Sequence, residues 1–188
     1  RGFHVHTGEG KDTMINASLV AIEINNCLPS METPRGTEDY EGFYHLISMQ
    51  GEVGEAKLNY IVRDHDKNGF EERKKTLRLI EKNLNAKWGE GTVTLKITDQ
   101  YLNMKEIVEE HMHLIDHAKK ACEAAGVAPL ILPIRGGTDG CQLSFKGLPC
   151  PNLGTGGHAF HGPYEHISVE GMEKSVELLL ALIQEYTK

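Results

Sequence analysis

The stretch between Pro133 and His166 contains the residues that are best suited to chemistry. It reads PIRGGTDG, then CQLSFKGLPCPNLGTGG, then HAFHGPYEH, so glycine clusters surround an arginine, an aspartate, a glutamate and histidines. Glycine occurs where a backbone approaches another group closely or adopts a positive φ. Loops of this kind carry function more often than helices do. We therefore expect the functional site in this stretch.

The first glycine cluster follows a short apolar run, Leu130–Ile134, which predicts a buried strand that ends in a loop. In an open α/β sheet, ligands bind at that end of a strand. Residues 137–145 are typical of a short helix, so the backbone N–H groups of Gly137, Thr138 and Asp139 could face an anion or an oxyanion. A tight turn capped by the threonine or the aspartate is equally compatible with these residues.

The second cluster contains His161, which lies four residues before Glu165 in a loop that also contains Gly162 and Pro163. Imidazole is the commonest metal ligand, and its second nitrogen needs an orienting acceptor. A zinc site needs at least three protein ligands, so any further ligands must come from elsewhere. We expect Glu165 to orient the loop or its neighbours rather than to act as an acid or a base.

Two arginines could each bind a carboxylate. Arg63 ends a predicted strand and begins the sequence RDHD. It could form a weak surface ion pair with Asp64 or Asp66, or present its fork of donors to a substrate carboxylate. For Arg135, the two alternatives are a substrate carboxylate and an ion pair with Asp139.

A group of histidines, His111, His113 and His117, includes the i, i+4 spacing of two metal ligands on a helix. They lie on the flank away from the apolar stripe of that helix, and no carboxylate or cysteine motif completes a site. We predict that they form a solvated helix face. His4 and His6 bracket Val5, and their spacing alone indicates surface residues.

Composition limits the class of protein. The chain has 188 residues, enough for one large or two small domains. A net charge of −7 argues against a nucleic-acid binder. Neither a signal peptide nor an apolar run long enough for a membrane span is recognised, and the cysteines form no CxxC pair, so we expect a cytoplasmic protein. The chain opens at Arg1 without a methionine, so an export signal could have preceded it.

The first half of the chain predicts the order helix, strand, strand, helix, strand. The predicted ranges are 12–26, 42–53, 56–63, 69–86 and 92–98. The first helix should face a sheet with Met14, Ala17, Ala21 and Ile24, and the second should bury Phe70, Leu77, Ile80 and Leu84. This order corresponds to a ferredoxin-like unit that lacks its first strand.

The pattern changes near residues 103–110, and we place a domain boundary there, with domains at 1–105 and 106–188. In the second domain we predict helices at 111–125 and 168–186 and strands at 130–134 and 150–153. The last helix should bury a stripe of five residues: Met172, Val176, Leu179, Leu180 and Ile183. This α/β piece is too small to be a complete catalytic domain.

Several motifs resemble the C-terminal half of the tripeptide aminopeptidases in the two-zinc aminopeptidase and glutamate-carboxypeptidase superfamily. They occur in the family's order and span nearly the whole chain: VHTGEGKDTMINA (5–17), YEGFYHL (40–46), YIVRDHD (60–66), IRGGTDG (134–140), GLPCPNLGTGG (147–157), FHGPYEH (160–166) and EGMEK (170–174). The resemblance implies a fold of the mixed α/β class, with a ferredoxin-like lid or dimerisation domain followed by the end of an α/β zinc-peptidase domain. It also implies a homodimer formed through the lid domain.

The resemblance further implies a reaction in which two zinc ions share a bridging water and a glutamate removes its proton. Of the five family zinc ligands, only the last histidine lies in this chain, as His161. The others belong to an N-terminal half that the chain lacks, so the chain alone should be inactive. The substrate would be a small peptide, and neither a nucleic acid nor a membrane is expected as a partner.

The resemblance assigns roles to further residues. His6 would polarise the scissile carbonyl, although the family has HPG where this chain has His6, Thr7 and Gly8, which puts the rigidity of the loop in doubt. Arg63 would bind the peptide C-terminus. From the residues themselves, we add Arg135, Gly136, Gly137, Thr138 and Asp139 as candidate substrate-binding residues, and we expect Glu165 to support His161 without binding the metal.

Two alternatives are also compatible with the sequence. One is a related metallohydrolase that acts on dipeptides or N-acyl amino acids. The other is a non-catalytic dimerisation module, for which Leu58, Tyr60 and the helix faces are also suitable.

Overall fold

A computed structural model describes residues 1–187. The chain forms two compact units. The first unit is Arg1–Asp99 together with Pro133–Gly136, and the second unit is Gln100–Leu132 together with the residues from Gly137 onward. The first division falls a few residues before the predicted boundary. The mixed α/β class is confirmed.

The first unit contains a 3₁₀ turn, two helices and a hairpin. After the turn Thr7–Glu9, these are α1 (Ala17–Asn26), β1 (Phe43–Gly51), β2 (Ala56–Arg63) and α2 (Lys67–Trp88).

The prediction that α1 begins near residue 12 is wrong, because Asn16 caps it. The Asn16 side chain accepts hydrogen bonds from the backbone N–H groups of Ser18 and Leu19, at 3.0 and 3.3 Å. The cap of α2 is Asp66, whose carboxylate accepts from the Gly69 N–H at 2.7 Å. This helix ends at Trp88, and the C-cap Gly89 that follows has a φ of +106°.

The predicted antiparallel hairpin is confirmed. Its register runs from Phe43 opposite Arg63 to Gly51 opposite Ala56, with a bulge between Leu46 and Ser48. Since Arg63 is the last residue of β2, it lies at the open end of the hairpin.

The strand predicted at 92–98 does not form. Its residues alternate in exposure as predicted, but side chains of α2 take the place of a neighbouring strand. The Asn85 amide accepts from the Val93 N–H at 2.8 Å and donates to the Val93 carbonyl at 2.9 Å, while Glu81 accepts from the Leu95 N–H at 2.6 Å. The sheet of this unit therefore has only two strands in the described residues, and the ferredoxin-like topology stays a prediction.

The core of the first unit lies between α1, the hairpin and α2. Its buried apolar side chains are Ala17, Val20, Ala21, Phe43, Tyr44, Leu77, Ile80 and Leu84. Three of the four residues predicted to be buried on α2 belong to it, and Phe70 is half-buried.

The second unit is mainly helical. Its helices are α3 (Lys105–Glu109), α4 (His113–Ala124), α5 (Asp139–Phe145) and α6 (Val169–Glu185), with a small antiparallel hairpin of β3 (Gly157–His158) and β4 (His166–Ile167). None of the helices in the described part of the chain has both the length and the apolar character of a membrane span.

The strands predicted at 130–134 and 150–153 do not form. Within residues 1–187, Leu130–Leu132 makes no backbone-to-backbone hydrogen bond, and its three side chains are 64 to 77% exposed. A buried parallel strand requires neighbouring strands and covering helices, and the described residues supply neither at this position.

The prediction of a buried stripe on α6 is also wrong. Its five apolar residues are 46 to 62% exposed, although α6 packs against α4. An amphipathic helix buries its apolar face only where another element covers it. The buried residues of this unit are few: Ala121, Ala125, Gly140 and Ser144.

Candidate functional site

The residues with predicted roles are divided between the two units. The first unit holds His6, Arg63, Arg135 and Gly136. The second holds Gly137, Thr138, Asp139, His161 and Glu165.

His161 lies in the loop that joins β3 to β4. At the base of this loop His158 pairs with His166, and their imidazoles stack with ring centroids 5.3 Å apart. The His166 Nδ1 also lies 2.8 Å from the Tyr164 carbonyl oxygen, which makes this ring nitrogen the donor. Sequence reasoning missed this pair, for which the only signal was two histidines at the ends of one glycine-containing loop.

The His161 backbone adopts an uncommon conformation that a neighbouring carboxylate supports. Its φ is +63°, and Ala159 in the same loop has a φ of +55°. Left-handed conformations cost of order 1 kcal/mol or more for such residues, and they cluster at functional sites. The Glu165 carboxylate accepts from the His161 N–H at 3.1 Å, and the Glu165 N–H donates to the Gly162 carbonyl at 3.1 Å. Glu165 therefore orients the backbone of the turn, and the His161 side chain is exposed.

The first two turns of α6 support the residues that precede this loop. The Ser175 hydroxyl donates to the Thr155 carbonyl at 2.8 Å. Gly156 has a φ of +77°, and a Cβ at this position would lie 3.3 Å from the Gly171 carbonyl oxygen. The GTGG sequence is therefore fitted to the start of α6, which fixes one end of the His161 loop.

Within residues 1–187, no three His, Cys, Asp or Glu side chains come together in a way that could hold a metal ion. His161 is a single exposed imidazole, which is fewer than the three protein ligands that a zinc site needs. The described residues therefore do not fit a metal ion by themselves.

The three histidines of α4 and its approach form a row. The ring centroid of His113 lies 6.0 Å from that of His111 and 6.1 Å from that of His117. The predicted solvated face is wrong for His117, which packs edge-on against Tyr186 at 4.5 Å and has a buried Nδ1 without a partner in the described residues.

The glycine turn before α5 is a capped turn. The Thr138 hydroxyl accepts from the Cys141 N–H at 3.4 Å. A Cβ on Gly137 would lie 2.2 Å from a ring carbon of Tyr101, and one on Gly140 would lie 2.4 Å from the Cys150 carbonyl oxygen. Packing therefore explains these two glycines, and the anion-binding alternative for the turn stays a prediction.

His6 has a defined hydrogen bond. Its Nδ1 accepts from the Gly8 N–H at 3.2 Å, and its carbonyl accepts from the Glu9 N–H at 2.9 Å. Because Nδ1 is the acceptor, the neutral ring carries its hydrogen on Nε2. His6 thus presents a donor, which suits an interaction with a carbonyl oxygen. The local hydrogen bonds hold the turn without the proline of the family motif.

Asp64 and Asp66, which the sequence offers as partners of Arg63, both accept hydrogen bonds from other groups. Asp64 accepts from the Arg73 Nε at 2.9 Å and from the Asp66 N–H at 2.9 Å. Arg73 also pairs with Glu32. Burial by itself lowers the pKa of Arg73, but the hydrogen bonds with Glu32 and Asp64 raise that pKa above its ordinary value. The end of β2 is thus held by Arg73, and the Arg63 guanidinium donates to the Val62 carbonyl at 3.0 Å.

Arg135 donates to the loop that precedes β1. Its Nη1 donates to the Thr37 carbonyl at 2.5 Å, and its Nη2 donates to the Thr37 hydroxyl at 2.6 Å and to the Glu41 carbonyl at 3.0 Å. The guanidinium also lies over the Phe43 ring, 5.0 Å from its centroid. Neither alternative from the sequence, a substrate carboxylate or Asp139, included these acceptors, because nearly one hundred residues separate the partners.

Comparison with known proteins places these features in one family. The model of Peptidase family M20/M25/M40 matches residues 3–185. A protein named Peptidase T from Caldanaerobacter subterraneus subsp. tengcongensis is 50% identical over 187 residues, which cover 100% of this chain and 46% of that protein. The chain thus spans about half the length of the curated relatives it matches.

Solved structures share the fold. Aminopeptidase PepT from Bacillus cereus superposes with a TM-score of 0.65 at 20% identity, over 100% of this chain and 50% of that one. A tripeptidase from Staphylococcus aureus gives a TM-score of 0.63 at 17% identity, over 98% of this chain and 48% of that one.

Proposed function

Because this chain belongs to peptidase family M20/M25/M40, we propose that it is the C-terminal half of a metal-dependent tripeptide aminopeptidase that releases the first residue of a tripeptide. The observation that carries the proposal is the 50% identity, along the whole chain, to a protein named Peptidase T. The name of the Staphylococcus aureus neighbour, a tripeptidase, agrees with the same substrate class.

His161 would be the one metal ligand that this half contributes. Its exposed side chain, in a turn oriented by Glu165, is consistent with that role. The family is generally metal-dependent. Zinc, two ions per site and the remaining ligands would belong to the longer protein, since the described residues do not form a metal site.

His6 and Arg63 would act on the peptide itself. The Nε2–H of His6 would donate to the carbonyl oxygen of the scissile bond, where negative charge develops during hydrolysis. Arg63 at the end of β2 would bind the C-terminal carboxylate of the peptide as a fork of donors. Gly136, Gly137, Thr138 and Asp139 would line the substrate from the capped turn before α5.

The exposed apolar surfaces support the view that the chain is half of a larger fold. Leu130–Leu132 and the α6 stripe have the composition of core residues but lie in solvent here. The remaining half would supply the neighbouring strands and cover the helix. A homodimer through the first unit and a cytoplasmic location remain predictions.

The direct test compares the longer protein with this chain. With added zinc, the longer protein should release the first residue of a tripeptide and leave dipeptides and N-acyl amino acids intact. His161→Ala should remove bound metal and activity together, whereas His113→Ala on the exposed part of α4 should change neither.

Two outcomes would contradict the proposal. If the 188-residue chain, free of contaminating peptidase, cleaved a tripeptide with zinc, it would not be an inactive half. If the longer protein dimerised but hydrolysed no peptide, the non-catalytic assembly module would be correct.

A further inference from the structure

The chain returns to the first unit for only four residues, Pro133–Gly136. This segment stands directly before the turn that is proposed to line the substrate. Two side chains hold this segment: Arg135, which donates to residues 37–41, and His65, which bonds the Ile134 carbonyl. These hydrogen bonds indicate whether Arg135 can also bind a substrate.

The Arg135 guanidinium has no bidentate edge left for a carboxylate. A guanidinium can offer two adjacent donors either as the Nη1/Nη2 pair or as the Nε/Nη2 pair. The first pair is occupied by Thr37, because Nη1 donates to its carbonyl and Nη2 donates to its hydroxyl. Both hydrogens of Nη2 are already used, on Thr37 and on the Glu41 carbonyl, and Nε is buried. Bidentate binding of a carboxylate needs two adjacent donors.

His65 makes the second contact with the same segment. Its Nε2 lies 3.1 Å from the Ile134 carbonyl oxygen, and since a carbonyl can only accept, the ring nitrogen donates. The Tyr40 ring packs edge-on against His65 at 5.2 Å. The loop 37–41 is thus joined to the segment through Arg135 and to His65 through Tyr40.

We infer that Arg135 is a positioning residue: with Thr37, Glu41 and His65 it forms a clasp that fixes the entry to the Gly136 turn and does not itself bind the substrate carboxylate. The inference deepens the proposed function and rests on it for its catalytic meaning. His65 is two residues after Arg63, so the clasp also holds the end of β2, where the carboxylate-binding fork is proposed to lie.

Digestion by trypsin tests the inference on this chain without any need for the proposed peptidase activity. Trypsin must take the arginine side chain into its specificity pocket, and an arginine held by Thr37 and Glu41 has to leave these acceptors first. The chain contains a matched reference, because Arg35–Gly36 and Arg135–Gly136 are both Arg-Gly bonds. Arg35 is exposed and donates no hydrogen bond within residues 1–187.

In the unmodified chain, cleavage after Arg135 should be much slower than cleavage after Arg35. Thr37→Val keeps the shape of the side chain but removes the hydroxyl acceptor, and should speed cleavage after Arg135 roughly tenfold, as expected for one lost hydrogen bond to a charged group. Thr37→Ser restores the hydroxyl and should restore slow cleavage. His65→Phe keeps a ring beside Tyr40 but loses the donor, and should also speed cleavage after Arg135.

Equal cleavage after Arg35 and Arg135 in the unmodified chain, unchanged by Thr37→Val, would overturn the clasp. The same holds if Thr37→Ser behaves like Thr37→Val, since the hydroxyl would then be irrelevant. These results do not depend on peptidase activity, so a failure of the proposed function would leave them interpretable.

The longer protein separates positioning from direct binding. Arg135→Lys should lower kcat/KM by the same factor for a tripeptide and for its C-terminal amide. Thr37→Val should also lower kcat/KM equally for the two substrates. Arg78→Lys, on the exposed face of α2, is the control. A loss confined to the free-carboxylate substrate in Arg135→Lys, with no effect of Thr37→Val, would assign the carboxylate to Arg135 and refute the inference.

Discussion

The two units of this chain differ in where their apolar side chains lie. Among residues 1–187, the first unit buries eight apolar side chains between α1, the hairpin and α2, whereas the buried apolar side chains of the second unit are Ala121 and Ala125, and the α6 stripe and Leu130–Leu132 are exposed. Burial of apolar surface is the main stabilising contribution to folding. The first unit therefore contains its own core, whereas the second unit leaves most of its apolar side chains exposed.

The two units also differ in how far apart in sequence the partners of the polar contacts just described lie. In the first unit, long-range side-chain contacts such as Arg73 with Glu32 and Arg135 with Thr37 tie distant segments together. In the second unit, the contact that supports His161 is local, from Glu165 four residues away. Distant residues therefore fix the Arg135 segment of the first unit, whereas the turn of His161 in the second unit is oriented by a neighbour along the chain.

The largest expected effect tests the core of the first unit. Leu84→Ala removes a leucine that is 4% exposed and should lower the free energy of unfolding by about 2–5 kcal/mol. Leu180→Ala makes the same change at a position that is 57% exposed on α6, and should change the free energy of unfolding by less than about 0.5 kcal/mol. Urea unfolding followed by far-ultraviolet circular dichroism monitors the helices of both units, and the fluorescence of Trp88, the only tryptophan, monitors the first unit separately. Similar losses in both variants would contradict the comparison.

A second prediction concerns the longer protein. There, Leu180→Gln should lower the free energy of unfolding by about 1.5–3 kcal/mol, the contribution of one fully buried leucine. In the 188-residue chain the same substitution should leave the thermal transition unchanged. Leu79→Gln, at an exposed leucine of α2, is the matched control. An unchanged longer protein would mean that the α6 stripe stays in solvent.

The smallest expected effect is a pH dependence inside the first unit. Hydrogen bonds from Lys87 and then Trp88 lower the pKa of Glu23 below its ordinary value of 4.5. A lowered pKa in the folded state contributes stability above pH 4.5 that is lost as the pH falls through the folded pKa. For a partly exposed pair the contribution should be below about 1 kcal/mol.

The Trp88 indole donates to the Glu23 carboxylate at 2.8 Å, so its emission should follow this protonation. Glu23→Gln should remove the acidic transition in the Trp88 emission. If the transition persisted unchanged in that variant, another carboxyl group would be its source.

Sequence reasoning predicted the elements whose signals are local. The hairpin from Phe43 to Arg63 and the long helices α2 and α6 were found at nearly their observed bounds, because alternation and helical spacing repeat every few residues. The capped turn at Thr138 was one of two alternatives, and the structure places the cap there.

The predictions that failed depended on distant partners. Thr92–Thr98 has the alternation of a strand, yet Asn85 and Glu81 occupy its backbone groups. Leu130–Ile134 has the composition of a buried strand, yet no neighbouring strand accompanies it in the described residues. A strand is defined by its pairing, which composition alone does not specify.

By itself, the sequence determined the hairpin, the long helices and the family to which the chain belongs. Only the tertiary structure decided which apolar faces are covered and which acceptors receive the Arg135 guanidinium. The physical reason is the separation along the sequence between the groups that interact. Helix caps and periodicity involve groups a few residues apart, whereas burial and the acceptors of Arg135 depend on segments that the chain brings together from nearly one hundred residues away.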